Sequence, residues 1–309
     1  MQRYGDAPME TVMEAIGGDR LFRSVVETAY DFLAVFDPQG RQLATSPTKG
    51  NACAGLFPGW DHIEAHAEEG DKRKLLHTLA EVLMDGTPRQ LEFRCFLPSG
   101  NRWFESVAVR VPESRTRPAY VLMALKDITE RKRMEEEHMR LAFHDSLTGL
   151  PNRMLFQEQL AHALAQAKRN HDGLALFYID IDNFKNINDT MGHPVGDAYL
   201  RSFAERVKTC LREGDTFSRI GGDEFTVLLP GIDTVDIADK VLLRIFDALQ
   251  NNWDVCGHSY EPTISVGVAF YPDHGSKAST LLKHSDLALY GVKGSGRNGY
   301  RVFDPGLFR

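Results

Sequence analysis

The sequence predicts an α+β chain of two domains, and three observations carry that reading. Strand-length runs and one helical period alternate through the first half. A continuously apolar run, Leu174 to Ile179 (LALFYI), is followed by helix, hairpin, helix and strand in the second half. Between the halves lies Glu130 to Leu141 (ERKRMEEEHMRL), charged and free of Gly and Pro. At 309 residues the chain has room for two cores of ordinary size, and 42% hydrophobic with 26% charged residues is the balance of a globular protein, not a disordered one.

Asp31 to Asp37 and Arg41 to Ser46 read as strands joined by the turn Pro38-Gln39-Gly40. Asp71 to Leu83 has helical period. Gln90 to Phe96, Arg102 to Val111 and Ala119 to Lys126 read as three more strands, with Pro98 to Asn101 turning the chain between the first two. Glu130 to Leu141 consists of good helix formers, with Met134, His138 and Leu141 at heptad-like spacing. It reads as a connecting helix, and a heptad this short and polar leaves open whether it is a solvated rod or a paired coil.

Leu155, Leu160, Ala163, Leu164 and Ala167 mark a helix ending near Arg169. Leu174 to Ile179 reads as a central strand covered on both faces. Leu200, Phe203, Ala204, Val207 and Leu211 form an amphipathic helix stopped by Gly214. Thr216 to Ile220 and Phe225 to Leu229 read as strands. Gly221-Gly222 between them is a hairpin signal, because a tight primed turn needs positive φ at both central residues and glycine adopts it cheaply. A helix from Val235 to Leu249, a strand from Thr263 to Phe270, a helix from Ser279 to Val292 and a short strand from Tyr300 to Phe303 complete the chain. This order predicts a βαββαβ core whose sheet contains antiparallel strands and carries its helices on one side.

The apolar runs are too short to span a membrane, and Met1 to Ile16 lacks the basic start and apolar core of a secretory signal, so a cytoplasmic location without a membrane partner is expected. Cys53, Cys95, Cys210 and Cys256 are scattered with no CxxC pair, which predicts reduced, mostly packed thiols. A net charge of -7 argues against a nucleic-acid polymer as partner. A nucleotide needs only a few local cations.

Asp180 and Asp182 end the apolar strand two residues apart, so they project to one face where ligand sites open in sheet proteins. Asp223 and Glu224 directly follow the two glycines. If the hairpin lies beside the apolar strand, Asp180 and Asp223 converge and can hold Mg²⁺, which would relieve their repulsion and lower the pKa of an attacking hydroxyl. The same acids also serve as strand caps and as the edge of a solvated turn, and residue types alone leave both readings open.

The string Gly221-Gly222-Asp223-Glu224-Phe225 arises by chance in on the order of one in ten thousand chains of this length. It resembles the name-giving motif of the GGDEF domain of diguanylate cyclases, which condense two GTP into cyclic di-GMP. The resemblance runs from about Asp145 to Phe303 and implies a nucleotidyl-cyclase-like fold. It implies Asp180, Asp223 and the Ile181 carbonyl as ligands of Mg²⁺ or Mn²⁺, Asp223 as base for the ribose 3′-hydroxyl, and Glu224 as further ligand or support. Asn183-Phe184-Lys185 and Asn188, with His193, Gly196 and Asp197, match the next motif. Asn188 and Asp197 would then contact guanine, Lys185 would stabilise transition-state charge, Phe184 would be wall or core, and His193 a pocket or packed turn residue.

Lys293 and Arg297 match the family's phosphate contacts, although the helix dipole also explains cations there. Arg212 and Asp215 fit the RxxD pattern that binds the product as inhibitor, with Arg244 a second contact; an ordinary helix-end Arg and turn Asp are the plainer alternative. Asp145 to Arg153 (DSLTGLPNR) matches the entry motif, and is read as a structural hinge with Asn152 as helix cap.

In the first half, Trp103-Phe104 followed by Asp127 to Arg131 resembles the end of PAS sensor domains. The implied organisation is an extension over residues 1–20, a PAS domain over 21–129 with an antiparallel sheet and flanking helices, a connecting helix over 130–144 and the GGDEF domain over 145–309. The implied activity is a PAS-regulated homodimeric diguanylate cyclase inhibited by its product. A cyclic di-GMP receptor without turnover, or a related cyclase making a mononucleotide, are the alternatives. The sensor's ligand is unknown from sequence; Cys53, His62, His66 and His77 are the residues to be weighed for one.

Overall fold

The computed structural model describes residues 29–37, 39–47, 66–98, 100–113, 119–232, 234–250 and 253–308. The chain forms two compact units, Met1–Glu137 and His138–Arg309.

The first unit holds β1 (Phe32–Phe36), β2 (Gln42–Pro47), α1 (Glu69–Asp85), β3 (Arg89–Leu97), β4 (Gly100–Val111) and β5 (Tyr120–Asp127). Its five strands are antiparallel in the order β2-β1-β5-β4-β3. Leu75, Leu79 and Val82, one stripe of α1, pack with Phe36, Phe93, Phe104 and Met123 on one sheet face. Leu33, Val35 and Leu122 form a second cluster on the other. Helix α2 (Thr129–Phe143) starts at the exit motif, where the Thr129 N–H donates to Asp127 Oδ1 at 2.8 Å and the Trp103 N–H donates to Thr129 Oγ1 at 3.0 Å. The boundary between units falls inside α2, on which Met134 and Leu141 are 56% and 50% exposed.

Cys53 and His62 lie outside the described residues. His77 is a solvent-facing residue of α1 paired with Glu81 at 3.4 Å. Cys95 and Cys210 are buried, and burial pushes the Cys95 thiol up to about 12, the Asp71 charge adding to it; Cys256 is exposed.

The second unit runs α3 (Arg153–Asn170), β6 (Leu174–Ile181), α4 (Phe184–Met191), α5 (His193–Thr209), β7 (Thr216–Gly221), β8 (Glu224–Pro230), α6 (Val235–Gln250), β9 (Trp253–Val255), β10 (His258–Tyr260), β11 (Ile264–Tyr271), α7 (Ala278–Gly294) and β12 (Gly299–Val302). The main sheet has the order β12-β11-β6-β8-β7; β11 and β12 are parallel and the other neighbours antiparallel. The expected βαββαβ order is present, with β6 at the centre.

The helices do not sit on one side. Ala175, Phe177, Ile179 and Ile181 of β6 pack with α5 and α6, while Leu174 and Leu176 pack with α3 and α7 on the opposite face. A strand apolar on both faces is buried only if both faces are covered, which overrules the one-sided expectation. Three of these elements went unread. Helix α4 is a short run containing Asn and Asp, poor in helix propensity, and β9 and β10 are three-residue strands turning at Cys256-Gly257, where φ is +54° and +78°. Helix α5 also ends at Thr209, before Gly214.

Strand β11 alternates Ile264, Val266, Val268 and Phe270 on one face with Ser265, Gly267 and Ala269 on the other. The small residues let α7 lie close. A Cβ on Gly267 would fall 1.9 Å from the Ser285 carbonyl oxygen and 2.3 Å from the Leu289 nitrogen. Backbone cannot yield there, so Gly267→Ala is expected to destabilise the unit by about 3 kcal/mol, read by chemical denaturation. No helix among the described residues is long and apolar enough to cross a membrane.

Candidate active site

One end of the second sheet gathers the acids. Asp180 is the penultimate residue of β6 there, β8 begins with Glu224 directly opposite it, and α7 returns so that its last turn brings Lys293. The turn between β7 and β8 is centred on Gly222-Asp223, one residue later than the glycine pair suggested, and a bulge at Ile220 precedes it. Gly222 has φ +54° and Asp223 is not in the positive region, the φ pattern of a II′ turn. Gly221, at φ +156°, also needs glycine's freedom. No atom lies within 4 Å of a Cβ built on either glycine, so the turn is open on its outer surface.

Asp180 is 7% exposed, and the Lys293 ammonium lies 2.7 Å from its Oδ2. Burial pushes the Asp180 carboxyl up; the Lys293 bond pulls against that, and the Asp223 and Asp182 charges push it further up. Asp223 is tied to β6 through its carbonyl, which accepts from the Ile181 N–H at 3.2 Å. Glu224 accepts a hydrogen bond from the Tyr178 hydroxyl at 3.2 Å. Among the described residues no three Asp, Glu, His or Cys side chains gather closely enough to hold an ion. The donors at hand are the oxygens of Asp180 and Asp223 and backbone carbonyls, with a lysine cation already against one of them. That set suits Mg²⁺, which binds one or two carboxylates and completes its shell with water and substrate phosphate.

Asp182 does more than end a strand. Its Oδ1 accepts from Ser265 Oγ at 2.7 Å and its Oδ2 from the Asn298 N–H at 3.1 Å, so it anchors the loop that carries Arg297. Gly296, Arg297 and Asn298 all have positive φ, and Arg297 is half-exposed with Nε 4.0 Å from Asp182 Oδ1. Lys293, in the last turn of α7, and Arg297, in the loop after it, thus flank the acids.

Helices α4 and α5 carry the remaining motif residues. Phe184 is buried in the core, 6.0 Å from the Tyr199 ring. Asn188 is half-buried, and Lys185, His193 and Asp197 are exposed, so His193 is not a packed residue. A Cβ on Gly196 would lie 1.9 Å from Asn188 Oδ1 and 3.3 Å from Phe184 Cζ. Alanine there displaces a flexible amide, not backbone, and gains helix propensity. Gly196→Ala is therefore expected to leave the melting temperature nearly unchanged, read by thermal denaturation.

Arg212 and Asp215 lie at the far end of β7. Arg212 Nε is 2.8 Å from Asp215 Oδ1, its N–H donates to Oδ2 at 3.1 Å, and Nη2 donates to the Pro230 carbonyl at 2.6 Å. Cys210, two residues earlier, donates to the Arg244 carbonyl at 3.6 Å, which brings α6 to this place.

The entry motif is linked to the two-glycine turn by a residue that sequence reasoning passed over. Arg219 Nη1 meets Asp145 Oδ1 at 2.9 Å and Oδ2 at 3.1 Å, while Nε and Nη2 donate to the Gly222 carbonyl at 2.9 and 2.7 Å. Asn152 caps α3, accepting from the Met154 and Leu155 N–H groups. Arg219, Tyr178 and Asp182 share a readable signal, a polar side chain within two residues of a proposed site acid or turn glycine.

Residues 142–299 match the family model for the diguanylate cyclase GGDEF domain, and residues 26–133 that for the PAS fold. The bifunctional diguanylate cyclase/cyclic di-GMP phosphodiesterase MucR of Pseudomonas aeruginosa is 38% identical over 182 residues, 58% of this chain and 26% of that protein. The diguanylate cyclase TpbB of the same species is 38% identical over 177 residues, 55% of this chain and 40% of TpbB. The chain therefore spans less than half the length of these curated relatives. The solved GGDEF domain of TpbB aligns with TM-score 0.52 and 37% identity, covering 53% of this chain and 98% of that one. The coiled coil and GGDEF domain of DgcB from Caulobacter crescentus, solved with c-di-GMP, aligns with TM-score 0.50 and 30% identity, covering 56% and 92%. With its acids at a central strand end, its two-glycine turn beside them and the diguanylate cyclase GGDEF-domain model matched over half its length, the chain belongs to the GGDEF-domain family, here preceded by a PAS fold.

Proposed function

We propose that the chain is a diguanylate cyclase, condensing two GTP into cyclic di-GMP with release of pyrophosphate, in which residues 21–129 sense a ligand, 130–144 connect, and 145–309 catalyse. The observation that carries this reading is the meeting of Asp180, Asp223 and Lys293 at one sheet end, where buried negative charge already draws a cation. Asp180 and Asp223, with the Ile181 carbonyl, would hold Mg²⁺ or Mn²⁺, which when bound neutralises triphosphate charge.

Lys293 and Arg297 bind the phosphates, Arg297 as a fork and Lys293 as a point charge that exchanges Asp180 for nucleotide. Asn188 and Asp197 read guanine, with Phe184 and His193 beside them. Lys185 steadies transition-state charge, Glu224 supports the metal side, and Asp223 removes the proton of the ribose 3′-hydroxyl. Each site holds half of the reactants, so two copies must face each other for in-line attack. Product binding at Arg212, Asp215 and Arg244 would break the Arg212–Asp215 pair and replace it with phosphate and guanine contacts. A pure receptor would have no need of the acids and Lys293 kept together.

Incubating the purified chain with GTP and Mg²⁺ and separating the products by chromatography tests the reading. Cyclic dinucleotide and pyrophosphate in a 1:2 ratio are expected. A cyclic mononucleotide, or binding of cyclic di-GMP without turnover, overturns it. Arg212→Ala is expected to keep synthesis and lose inhibition by added product.

A further inference from the structure

The two cations beside the acids stand on different supports. Lys293 is fixed in the last turn of α7, whereas Arg297 belongs to the loop between α7 and β12, where Gly296, Arg297 and Asn298 have φ of +112°, +64° and +44°. For arginine and asparagine that region is costly, and such backbone persists only where its surroundings over-determine it. Three contacts do so. The Val292 carbonyl accepts from the Ser295 and Arg297 N–H groups, at 3.0 and 3.1 Å. Asp182 Oδ2 accepts from the Asn298 N–H at 3.1 Å. The third contact is a relay of side chains from β12: Arg301 Nη2 donates to Ser295 Oγ at 3.1 Å, and that hydroxyl donates onward to the Gly291 carbonyl at 2.9 Å. Arg301 reaches Ser295 by crossing α7 at Gly291, where a Cβ would fall 2.7 Å from Nη1 and 3.4 Å from Cδ. Its place in β12, paired with Gly267, starts the side chain where α7 lies close to the sheet.

We propose that Arg301 and Ser295 are positioning residues for the nucleotide phosphates: their relay sets the loop in the conformation that carries the Arg297 fork to the triphosphate beside Lys293. The inference rests on the dinucleotide-forming reading, in which Lys293 and Arg297 bind those phosphates. Neither Arg301 nor Ser295 touches the nucleotide. Both act through Arg297 on the bound substrate as much as on the transition state, so losing them raises KM and spares kcat.

The test uses the full chain and 3′-deoxy-GTP with Mg²⁺, a nucleotide that lacks the attacking hydroxyl and so binds without condensing. Arg301→Ala, Ser295→Ala and Gly291→Ala are each expected to raise its dissociation constant about five- to tenfold, read by titration calorimetry. With GTP, KM rises by the same factor and kcat stays within about twofold of wild type. Gly291→Ala guards against misfolding. It deletes no side-chain group, improves helix propensity and acts by pushing the guanidinium off Ser295, so its melting temperature is expected at or above that of wild type. Arg301→Ala combined with Ser295→Ala is expected to bind no more weakly than either alone, because both break one relay. A role for Arg301 confined to packing gives instead a lower melting temperature with binding unchanged. Wild-type affinity in Ser295→Ala and Gly291→Ala, or losses that add in the double variant, overturns the relay while leaving the cyclase reading in place. A wild-type chain that binds the analogue but makes no cyclic dinucleotide from GTP overturns that reading alone, and one that does not bind the analogue overturns both.

Discussion

Asn in place of Asp180 is expected to give a chain that is at least as stable as wild type and makes no measurable cyclic dinucleotide, a fall of roughly a thousandfold or more. The two halves of this result have one cause. Asp180 is buried against Asp223 and Asp182, and its carboxyl is pushed above the usual range by burial first and by those charges. A carboxylate whose folded pKa is raised stabilises the fold fully only below its unfolded value of about 4, and that contribution is lost as pH rises through the raised folded value. At neutral pH the Asp180 charge therefore works against folding. Asn keeps an oxygen for the Lys293 ammonium and removes the charge, so the stability gap between variant and wild type should be present at pH 7 and close below pH of about 4. Thermal melts without Mg²⁺ or nucleotide across that range read the first half, and product chromatography reads the second. A variant that melts well below wild type at pH 7, or that still makes product, contradicts the account. Asp223→Asn is expected to lose activity to a similar degree, since the same pair of carboxylates is broken from the other side.

Much of this architecture was legible because apolar period dominates where burial is heavy. LALFYI announced a strand covered on both faces, and the helices duly lie on both, although strand order alone had suggested one. The acids at the end of β6 and after the glycines were legible because a strand end and a tight turn leave few places for a side chain to go. Local detail was harder. The glycine pair signalled a turn but not its centre, because the bulge at Ile220 shifts the register by one residue, a consequence of pairing with β8 that no local rule carries. Positive φ at both central residues occurs instead at Cys256-Gly257, in a hairpin too short and polar to be read. Asp182 and Arg219 were missed as supports for another reason. Their partners are Ser265 and Asn298 for one and Asp145 and Gly222 for the other, up to 116 positions away, and only the folded chain shows which backbone groups need them.

Arg219→Ala is expected to cost about 2 kcal/mol of stability and at least about tenfold in synthesis, and Arg219→Lys to keep most of the stability while losing most of the activity. The guanidinium joins two segments: Asp145, near the start of the second unit, and the Gly222 carbonyl, in the turn that presents Asp223. Its side chain is 10% exposed and that of Asp145 22%, so the pair is shielded well enough to matter and wet enough that the full cost of a buried ion pair does not apply. Burial alone would raise the Asp145 carboxyl, but hydrogen bonds from Thr148 and Arg219 more than reverse this and hold it below its usual value. A depressed carboxylate contributes stability above its unfolded pKa of about 4 and loses it as pH falls through the folded value. The difference between wild type and Arg219→Ala should therefore be full at pH 7 and shrink below pH of about 4, as denaturant midpoints measured along that range will register. Lysine reaches one of the two segments but cannot grip both, since a single ammonium lacks the fork that meets a carboxylate edge and a carbonyl at once. Its chain folds with the turn untethered from Asp145, so Asp223 is held less firmly and the loss falls on kcat more than on KM. A lysine variant with wild-type kcat would mean that the turn keeps its geometry through β7 and β8 alone.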